Sequence, residues 1–211
     1  MTADVLVRCT WPGLDDPLYA HYHDTEWGVP KTDDRVLFEK MILEGFQSGL
    51  SWLTILRKRE NFRTAFDDFD AEKIARYDDR DKARLMADTG IIRNRLKIDA
   101  TIDNARAYLK LAEKTSLARF LWSFVDGRPR INTYRTHADV PAQTEVSKIV
   151  SKALKAEGFR FVGPTTMYAF MQASGLVNDH LLGCHRHHHC SELMKTFELP
   201  AKLPGRKHGT A

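Results

Sequence analysis

The spacing of the apolar residues constrains the fold of this chain most. The longest apolar stripe comprises Ile98, Ile102, Ala105, Leu109 and Ala112. Because intervals of three and four residues return to one face of a helix, this stripe predicts a long amphipathic helix. Residues 33–47 carry a second stripe of the same kind, and no alternating strand pattern extends beyond a few residues. We therefore expect an all-α fold.

Capping residues and helix breakers give the expected helix boundaries. Ser51 and Ser116 each precede an apolar segment and are residues that favour the N-cap position. Pro164 suits the first position of a helix, and Gly175 can end that helix in the left-handed conformation. The sequence thus predicts helices that begin after Ser51 and Ser116, and one from Pro164 to Ser174.

Length and composition bound the class of protein. A chain of 211 residues with 43% apolar residues can bury a proper core, which excludes a disordered chain. We expect residues 1–190 to form one folded unit and residues 191–211 to form a flexible tail.

Net charge and hydropathy indicate neither a nucleic-acid partner nor a membrane. The formal net charge is +4, and three of these charges belong to Lys202, Arg206 and Lys207, so charge alone does not indicate a nucleic-acid partner. No apolar run approaches the roughly 20 residues that span a bilayer, and the N-terminus lacks the apolar stretch of a signal peptide. We expect a cytoplasmic protein without membrane contact.

A cluster of His and Cys near the C-terminus indicates a candidate metal site. His180 and Cys184 are four positions apart, and Cys9 and His23 offer a second pair near the N-terminus. Zinc is usually held by four nitrogen or sulfur ligands in a tetrahedron, so these four residues could bind one zinc ion. A closed four-ligand site leaves no open position for water and would be structural.

Two alternatives to this ligand set stay open. Cys9 could be a buried apolar residue, and the His-rich segment could be solvated. The competing ligands in that segment are His185, His187, His188, His189 and Cys190.

Six segments between residues 8 and 184 carry a family resemblance. They read RCTWPGLDDPLYAHYHDTEWGVP, LEGFQSGLSWLTILRKRENFRTAF, GIIRNRLKI, ARAYL, LWSFV and FRFVGPTTMYAFMQASGLVNDHLLGC. Taken in this order, they resemble the 3-methyladenine DNA glycosylase I family of bacterial base-excision repair.

The resemblance implies a helix-hairpin-helix glycosylase fold of two interlocked helical lobes, with the hairpin at about residues 158–166. It implies a structural zinc clasp that joins the chain ends through the ligands Cys9, His23, His180 and Cys184. It also implies a monomeric enzyme that removes 3-methyladenine from alkylated double-stranded DNA.

The same resemblance indicates a base pocket. Glu44 would be the catalytic residue and accept hydrogen bonds from the base, while Trp52 would stack on it. Tyr22 and Trp27 offer further aromatic faces. Because N3-methyladenine in DNA is a cation, such an electron-rich pocket would attract it through cation–π and Coulomb interactions. The alternative is that both Trp residues belong to the core and that Glu44 is a surface acid.

The expected reaction is hydrolysis of the N-glycosidic bond, which leaves an abasic site. Methylation at N3 already makes the base a good leaving group, so strong acid catalysis is not needed. The hairpin segment FVGPTT contains no Lys that could form a Schiff base, so we expect no strand cleavage. Asp179 follows the hairpin beside His180, and we assign it no role as a base.

Two segments are expected to contact DNA phosphates. The first consists of the backbone amides of Val162, Gly163, Thr165 and Thr166 at a helix N-terminus. The second is a basic cluster of Arg93, Arg95 and Lys97, for which the alternative is a solvated helix face.

Two other functions stay open at this point. A non-catalytic, zinc-stabilised DNA-binding protein would need the hairpin and the basic cluster but not Glu44 or Trp52. A zinc hydrolase would need an open coordination position and a general base beside the metal.

Overall fold

Helices account for nearly all the regular structure in the computed structural model of this chain, which describes residues 6–200. The α-helices are α1 (Pro17–Thr25), α2 (Asp34–Gln47), α3 (Trp52–Leu56), α4 (Arg59–Ala65), α5 (Ala71–Ile74), α6 (Asp79–Ala87), α7 (Arg95–Ala112), α8 (Leu117–Trp122), α9 (Glu145–Ala156), α10 (Pro164–Ala173) and α11 (His185–Lys195). Short 3₁₀ helices span Asp67–Phe69, Ser123–Val125 and His137–Asp139. Two two-residue strands, β1 (Arg130–Ile131) and β2 (Val177–Asn178), pair in parallel. The expectation of an all-α class is confirmed.

The expected helix boundaries are confirmed where capping residues indicate them. Ser51 Oγ accepts a hydrogen bond from the Thr54 amide at 3.2 Å. Ser116 Oγ accepts one from the Arg119 amide at 3.1 Å. The helix that begins at Pro164 ends one residue earlier than expected, and Gly175 follows it with a φ of 72°. Local hydrogen bonding of the side chain to free helix amides explains why these boundaries are readable from sequence.

The second predicted stripe becomes α2, a helix with nine buried residues of 14. It packs against α3, α7, α8 and α10, and its apolar residues from Leu37 to Phe46 belong to the core. Its N-terminus is tied to α8, since the Asp34 carboxylate accepts the amides of Leu117 and Ala118 at 3.1 and 2.8 Å. Residues on α2 are therefore held rigidly from both sides.

A close backbone approach joins the segment after α1 to the segment after α10. Gly175, after α10, lies so near the segment before α2 that a Cβ there would be 2.3 Å from the Pro30 nitrogen. The Gly28 amide donates to Gln172 O at 3.2 Å, and the Lys31 amide donates to Ser174 O at 3.0 Å. Only glycine fits this contact, which brings the segment after α10 against the segment after α1.

The predicted hairpin corresponds to α9, a short loop and α10. The helices pack against each other, and Gly158 ends α9 with a φ of 96°. The arrangement is a helix–loop–helix unit. The division of the whole chain into two interlocked lobes stays a prediction.

The segment predicted to be a flexible tail begins inside helix α11. The helix α11 continues to Lys195, and its inner side is buried at Cys190 and Met194. The ring of Phe197 then stacks on Trp122 with 4.3 Å between centroids. Apolar contacts thus hold the segment on the core, and residues 201–211 lie outside the described residues. Within residues 6–200, no helix combines the length and apolar character that crossing a membrane requires.

Candidate functional site

A cavity of about 290 Å³ opens between α1, α2, α3 and α10. Its walls include all four predicted pocket residues, Tyr22, Trp27, Glu44 and Trp52. The other lining residues are Trp11, Pro12, Tyr19, Gln47, His137, Val140, Ala169, Gln172, Asp179 and Leu181. Helices α1, α2 and α3 thus place predicted residues that are far apart in sequence around one concave site.

Glu44 is a buried carboxyl group in the wall of this cavity. It is 4% exposed, so the alternative of a surface acid is wrong. Its Oε2 atom is buried and has no hydrogen-bond partner among the described residues. Burial raises the pKa of Glu44 to about 8, and the positive charge of Lys40, one helical turn earlier, opposes this rise. An unpaired buried acceptor is costly, so the site favours a ligand that can supply a donor or a positive charge.

Trp52 presents a second unsatisfied group to the same cavity. Its Nε1 is buried and has no hydrogen-bond partner among the described residues. Its ring lies 5.4 Å from that of Tyr22, at an interplanar angle of 44°. The rings of Trp11 and Trp27 meet edge to face at 4.6 Å. Both predicted Trp residues therefore belong to the core and to the cavity wall, where aromatic faces favour a cationic or planar ligand.

The predicted metal ligands Cys9, His23, His180 and Cys184 converge behind the Trp27 side of the cavity. All four are buried, and their potential ligand atoms lie within 4.8 Å of one another. The sulfur–nitrogen distances are 3.6 Å for Cys9–His180, 3.6 Å for Cys184–His23 and 3.7 Å for Cys184–His180. A tetrahedral zinc ion with Zn–S of about 2.3 Å and Zn–N of about 2.0 Å separates such atoms by about 3.5 Å. The four residues fit a zinc ion in composition and in spacing.

The outer nitrogen of each imidazole is also engaged. His23 Nδ1 lies 2.8 Å from Asp24 Oδ1, and His180 Nε2 lies 3.1 Å from Trp27 O. Asp24 is fixed in turn by the Arg8 guanidinium, at 2.7 Å between Nη2 and Oδ2. Such contacts orient metal-binding histidines and fix the tautomer that exposes the other nitrogen to the metal.

The two thiols are electrostatically unequal. A hydrogen bond from Cys9 and further ones from the two histidines lower the pKa of Cys184, against the effect of burial. The same bond and burial raise the pKa of Cys9. Backbone amides of Leu181 and Arg186 donate to the two sulfur atoms at 3.4 Å. Donors aimed at sulfur favour the thiolate, which is the form that binds zinc.

The competing ligands lie outside this cluster. His185 Nε2 contacts Asp24 at 3.0 Å, and His187 Nε2 donates to Asn132 O at 2.8 Å. Cys190 accepts a hydrogen bond from Arg186 at 3.6 Å, while His188 and His189 are exposed. The folded chain thus distinguishes the four clustered residues from the competing ligands, which the spacing in the sequence could not do.

Comparison with known proteins shows the family of this chain. A family model described as methyladenine glycosylase matches residues 11–187, which is more than half of the chain. The chain belongs to the methyladenine glycosylase family. It is 52% identical over 178 residues to DNA-3-methyladenine glycosylase 1 of Escherichia coli, covering 84% of this chain and 95% of that protein. The corresponding glycosylase of Haemophilus influenzae is 49% identical over the same length, covering 84% and 96%.

Solved structures of this family share the fold. A crystal structure of 3-methyladenine DNA glycosylase I superposes with a TM-score of 0.83 at 53% identity, covering 85% of this chain and 98% of that one. A variant of 3-methyladenine DNA glycosylase I in complex with 3-methyladenine superposes with a TM-score of 0.79 at 40% identity, covering 82% and 94%.

Asp179, left without a role by the sequence, is a fully engaged carboxylate in the cavity wall. It accepts hydrogen bonds from Asn132 Nδ2 at 2.7 Å, Tyr168 Oη at 2.5 Å and Gln172 Nε2 at 2.7 Å. Burial and the hydrogen bond to Asp179 raise the pKa of Tyr168. Both oxygen atoms are engaged, so Asp179 links Asn132, directly after β1, to Tyr168 and Gln172 of α10.

The predicted phosphate contacts fall into two groups. The hairpin amides lie at the start of α10, whose first turn carries no acidic residue. Thr165 is exposed, Gly163 and Thr166 are half-buried, and the side chain of Val162 is buried. Arg93 and Arg95 are exposed next to the start of α7.

Lys97 does not belong to this basic surface, so its assignment to a surface cluster is wrong. It is 8% exposed, and its Nζ donates to Phe46 O and Ser48 O at 2.7 Å each. The free carbonyls at the C-terminus of α2 attract this ammonium group. Burial lowers the pKa of Lys97.

Sequence reasoning missed several residues of the site. Trp11 lies two positions after Cys9, and Asp24 directly follows His23. Their closeness in sequence to predicted metal ligands was the signal that could have indicated them. Gln172 and Asp179 lie on segments already assigned to the hairpin helix and the zinc clasp. Their roles in the cavity depend on contacts across the fold, which no local pattern indicates.

Proposed function

We propose that this chain is a base-excision repair glycosylase that hydrolyses the N-glycosidic bond of 3-methyladenine in alkylated double-stranded DNA. The observation that carries the proposal is the convergence of Glu44, Tyr22 and Trp52 on one cavity. It is supported by 52% identity over 95% of a curated DNA-3-methyladenine glycosylase. A relative at 40% identity has been solved in complex with 3-methyladenine.

Recognition of the base rests on charge and on aromatic faces. A glycosylase must flip its target nucleotide out of the duplex into a pocket. Here the flipped base meets Trp52 and Tyr22, whose faces attract a cation. Glu44 offers the unpaired Oε2 atom as a hydrogen-bond acceptor. The cationic base also favours the ionised form of Glu44 by the same Coulomb interaction.

Bond cleavage follows from the charge of the substrate. The C1′–N9 bond breaks with its electron pair moving to the cationic base, which leaves as neutral 3-methyladenine. Water then adds to C1′ of the oxocarbenium-like sugar, and its proton passes to solvent. Asp179 already accepts three hydrogen bonds, so we assign it to positioning and not to water activation. Residues 161–166 contain no Lys, so the enzyme is proposed to leave an abasic site without cutting the strand.

The proposed zinc site is structural. Cys9, His23, His180 and Cys184 would hold one ion and fill its four coordination positions. A bound zinc ion supplies a cross-link between the two chain ends. Because Trp27 O contacts His180 at 3.1 Å, this cross-link also fixes one wall of the cavity.

Contacts with DNA are proposed at the hairpin and at the start of α7. The amides of Thr165 and Thr166 belong to the first turn of α10, where amide groups have no intrahelical acceptor and can bind phosphate. The exposed residues Arg93 and Arg95 would add two phosphate contacts.

The test is release of free bases from N-methylated DNA, followed by chromatography. We expect 3-methyladenine to be released and the Glu44→Gln variant to lose most of this activity. A matched control is Glu39→Gln on the same helix, because Glu39 pairs with Arg63 at 2.9 Å and does not line the cavity. No release by the zinc-loaded protein would refute the enzyme and leave the DNA-binding alternative. Borohydride trapping of a covalent DNA complex would refute the monofunctional mechanism.

A further inference from the structure

A second ionisable side chain of α2 is buried one helical turn before Glu44. Lys40 is 5% exposed, and Glu44 is 4% exposed. The Nζ atom of Lys40 lies 5.2 Å from the centroid of the Tyr22 ring, which lines the cavity. Residues four positions apart on a helix share one face, so Lys40 lies on the same side of α2 as Glu44, which lines the cavity.

A buried Lys needs a physical reason, because burial strongly disfavours its charged form. Here burial lowers the pKa of Lys40, while the negative charges of Glu26, Glu44 and Glu39 oppose that shift. Cation–π attraction to Tyr22 acts in the same direction as these carboxylates. These carboxylates and the Tyr22 ring thus favour the charged form of Lys40, against burial and the positive charge of Arg59.

The other charged groups around Lys40 have partners of their own. Glu26, at the end of α1, is held by Arg59 of α4 through two hydrogen bonds of 2.7 and 2.9 Å. Glu39 accepts a hydrogen bond from Arg63 at 2.9 Å. These two pairs are neutral as units, which leaves Lys40 as the counter-charge for Glu44.

The remaining titratable groups on this side do not replace Lys40. Lys31 donates to Glu26 O and Val29 O, and burial lowers its pKa to about 7. On α1, burial and the charge of Glu44 raise the pKa of Tyr19 to about 12 and also raise that of Tyr22, so both are neutral phenols. The positive charge of Lys40 opposes protonation of Glu44.

We propose that Lys40 is a positioning residue for the glycosylase pocket, a buried cation that makes it easier for the Glu44 carboxyl group to ionise when the cationic base binds. The expected effect on catalysis rests on the proposed function, whereas the expected effect on the ionisation of Glu44 does not. Removing Lys40 leaves an ionised Glu44 without a counter-charge in a low-dielectric site, so the carboxyl group holds its proton to higher pH.

The first test follows the protonation of Glu44 without any substrate. Infrared difference spectra over a pH series report the carboxyl stretch, which the Glu44→Gln variant assigns by its loss. In Lys40→Met we expect the Glu44 titration to move upward by about one unit, which is about ten-fold in the ionised fraction at neutral pH. Lys40→Arg keeps the charge and is expected to restore the original titration. Lys114→Met is a matched control on the surface, where Lys114 pairs with Glu157.

The second test measures kcat/KM for release of 3-methyladenine as a function of pH. Lys40→Met is expected to lose about ten-fold at neutral pH and to recover toward alkaline pH. The same substitution in the Glu44→Gln background is expected to have no further effect, since Lys40 acts through Glu44. A merely structural role would lower activity equally at every pH and in both backgrounds.

The two tests can fail independently, so their results distinguish a failure of this inference from a failure of the proposed function. An unmoved Glu44 titration in a folded Lys40→Met protein would overturn the inference even if the wild type releases 3-methyladenine. A wild type without base release would overturn the proposed function, while the infrared titration would still decide the role of Lys40. Melting curves followed by circular dichroism establish that each variant is folded.

Discussion

The burial of Glu44 has a cost in stability that a single substitution should reveal. The carboxyl group is 4% exposed, and burial raises its pKa from 4.5 to about 8. In the unfolded chain the group ionises near its ordinary pKa, whereas in the folded protein it retains its proton up to about 8. The folded state therefore binds more protons between these values, and its stability falls as pH rises through this window.

The magnitude follows from the size of the pKa shift. A rise from 4.5 to about 8 corresponds to about 5 kcal/mol above pH ~8 and about 3 kcal/mol at neutral pH, at ~1.4 kcal/mol per unit. Glutamine has nearly the same shape and cannot ionise, so Glu44→Gln removes this cost. Because Lys40 loses its anionic neighbour in the variant, we expect about half of this gain to be observed.

The assay is urea denaturation of zinc-loaded wild type and Glu44→Gln at a series of pH values. The free energy of unfolding of the variant should exceed that of wild type by an amount that grows between about pH 5 and about pH 8 and then levels off. Glu39→Gln, which removes an ion pair with Arg63 on the same helix, should show no such gain. A difference between wild type and Glu44→Gln that is constant across this range would refute the reasoning.

Three further predictions concern the metal site, the DNA surface and the C-terminal helix. Cys184→Ser should reduce bound zinc from about one ion per chain to none by atomic absorption and lower the Tm, since metal binding contributes on the order of several kcal/mol to folding. The Arg93→Ala/Arg95→Ala variant should reduce the slope of log K against log salt concentration by about 0.9 per lost phosphate contact, and an unchanged slope would exclude both contacts. Phe197→Ala should lower the free energy of unfolding by about 1–3 kcal/mol, because it removes the ring stacked on Trp122, while base release stays at the wild-type rate.

The sequence alone predicted those features of the fold that depend on neighbouring residues. The N-caps at Ser51 and Ser116 are confirmed because a cap is a hydrogen bond across three residues. The helix from Pro164 and its end at Gly175 are readable for the same local reason. The family resemblance added the order of the segments, and with it the candidate pocket and ligand residues.

The fate of Lys97 and of the segment after Cys184 could not be read from local pattern. Lys97 is in a run of charges, yet its ammonium group finds the carbonyls that end α2, about 50 positions earlier in the chain. The segment from His185 onward is rich in polar residues, yet Cys190 and Met194 bury one side of it against the core. In both cases the deciding partner lies far away in sequence.

The sequence by itself determined the helical class and the capped helix boundaries, and its family resemblance supplied the candidate pocket and ligand residues. Only the tertiary structure decided which of them meet. The sequence left seven Cys and His residues between positions 180 and 190 as possible ligands, and only the folded chain brings His180 and Cys184 to Cys9 and His23. Burial of Lys40 and Glu44 side by side likewise depends on the helices packed around α2. Helix propensity and capping act over a few residues, whereas desolvation and ligand geometry depend on atoms that only folding brings together.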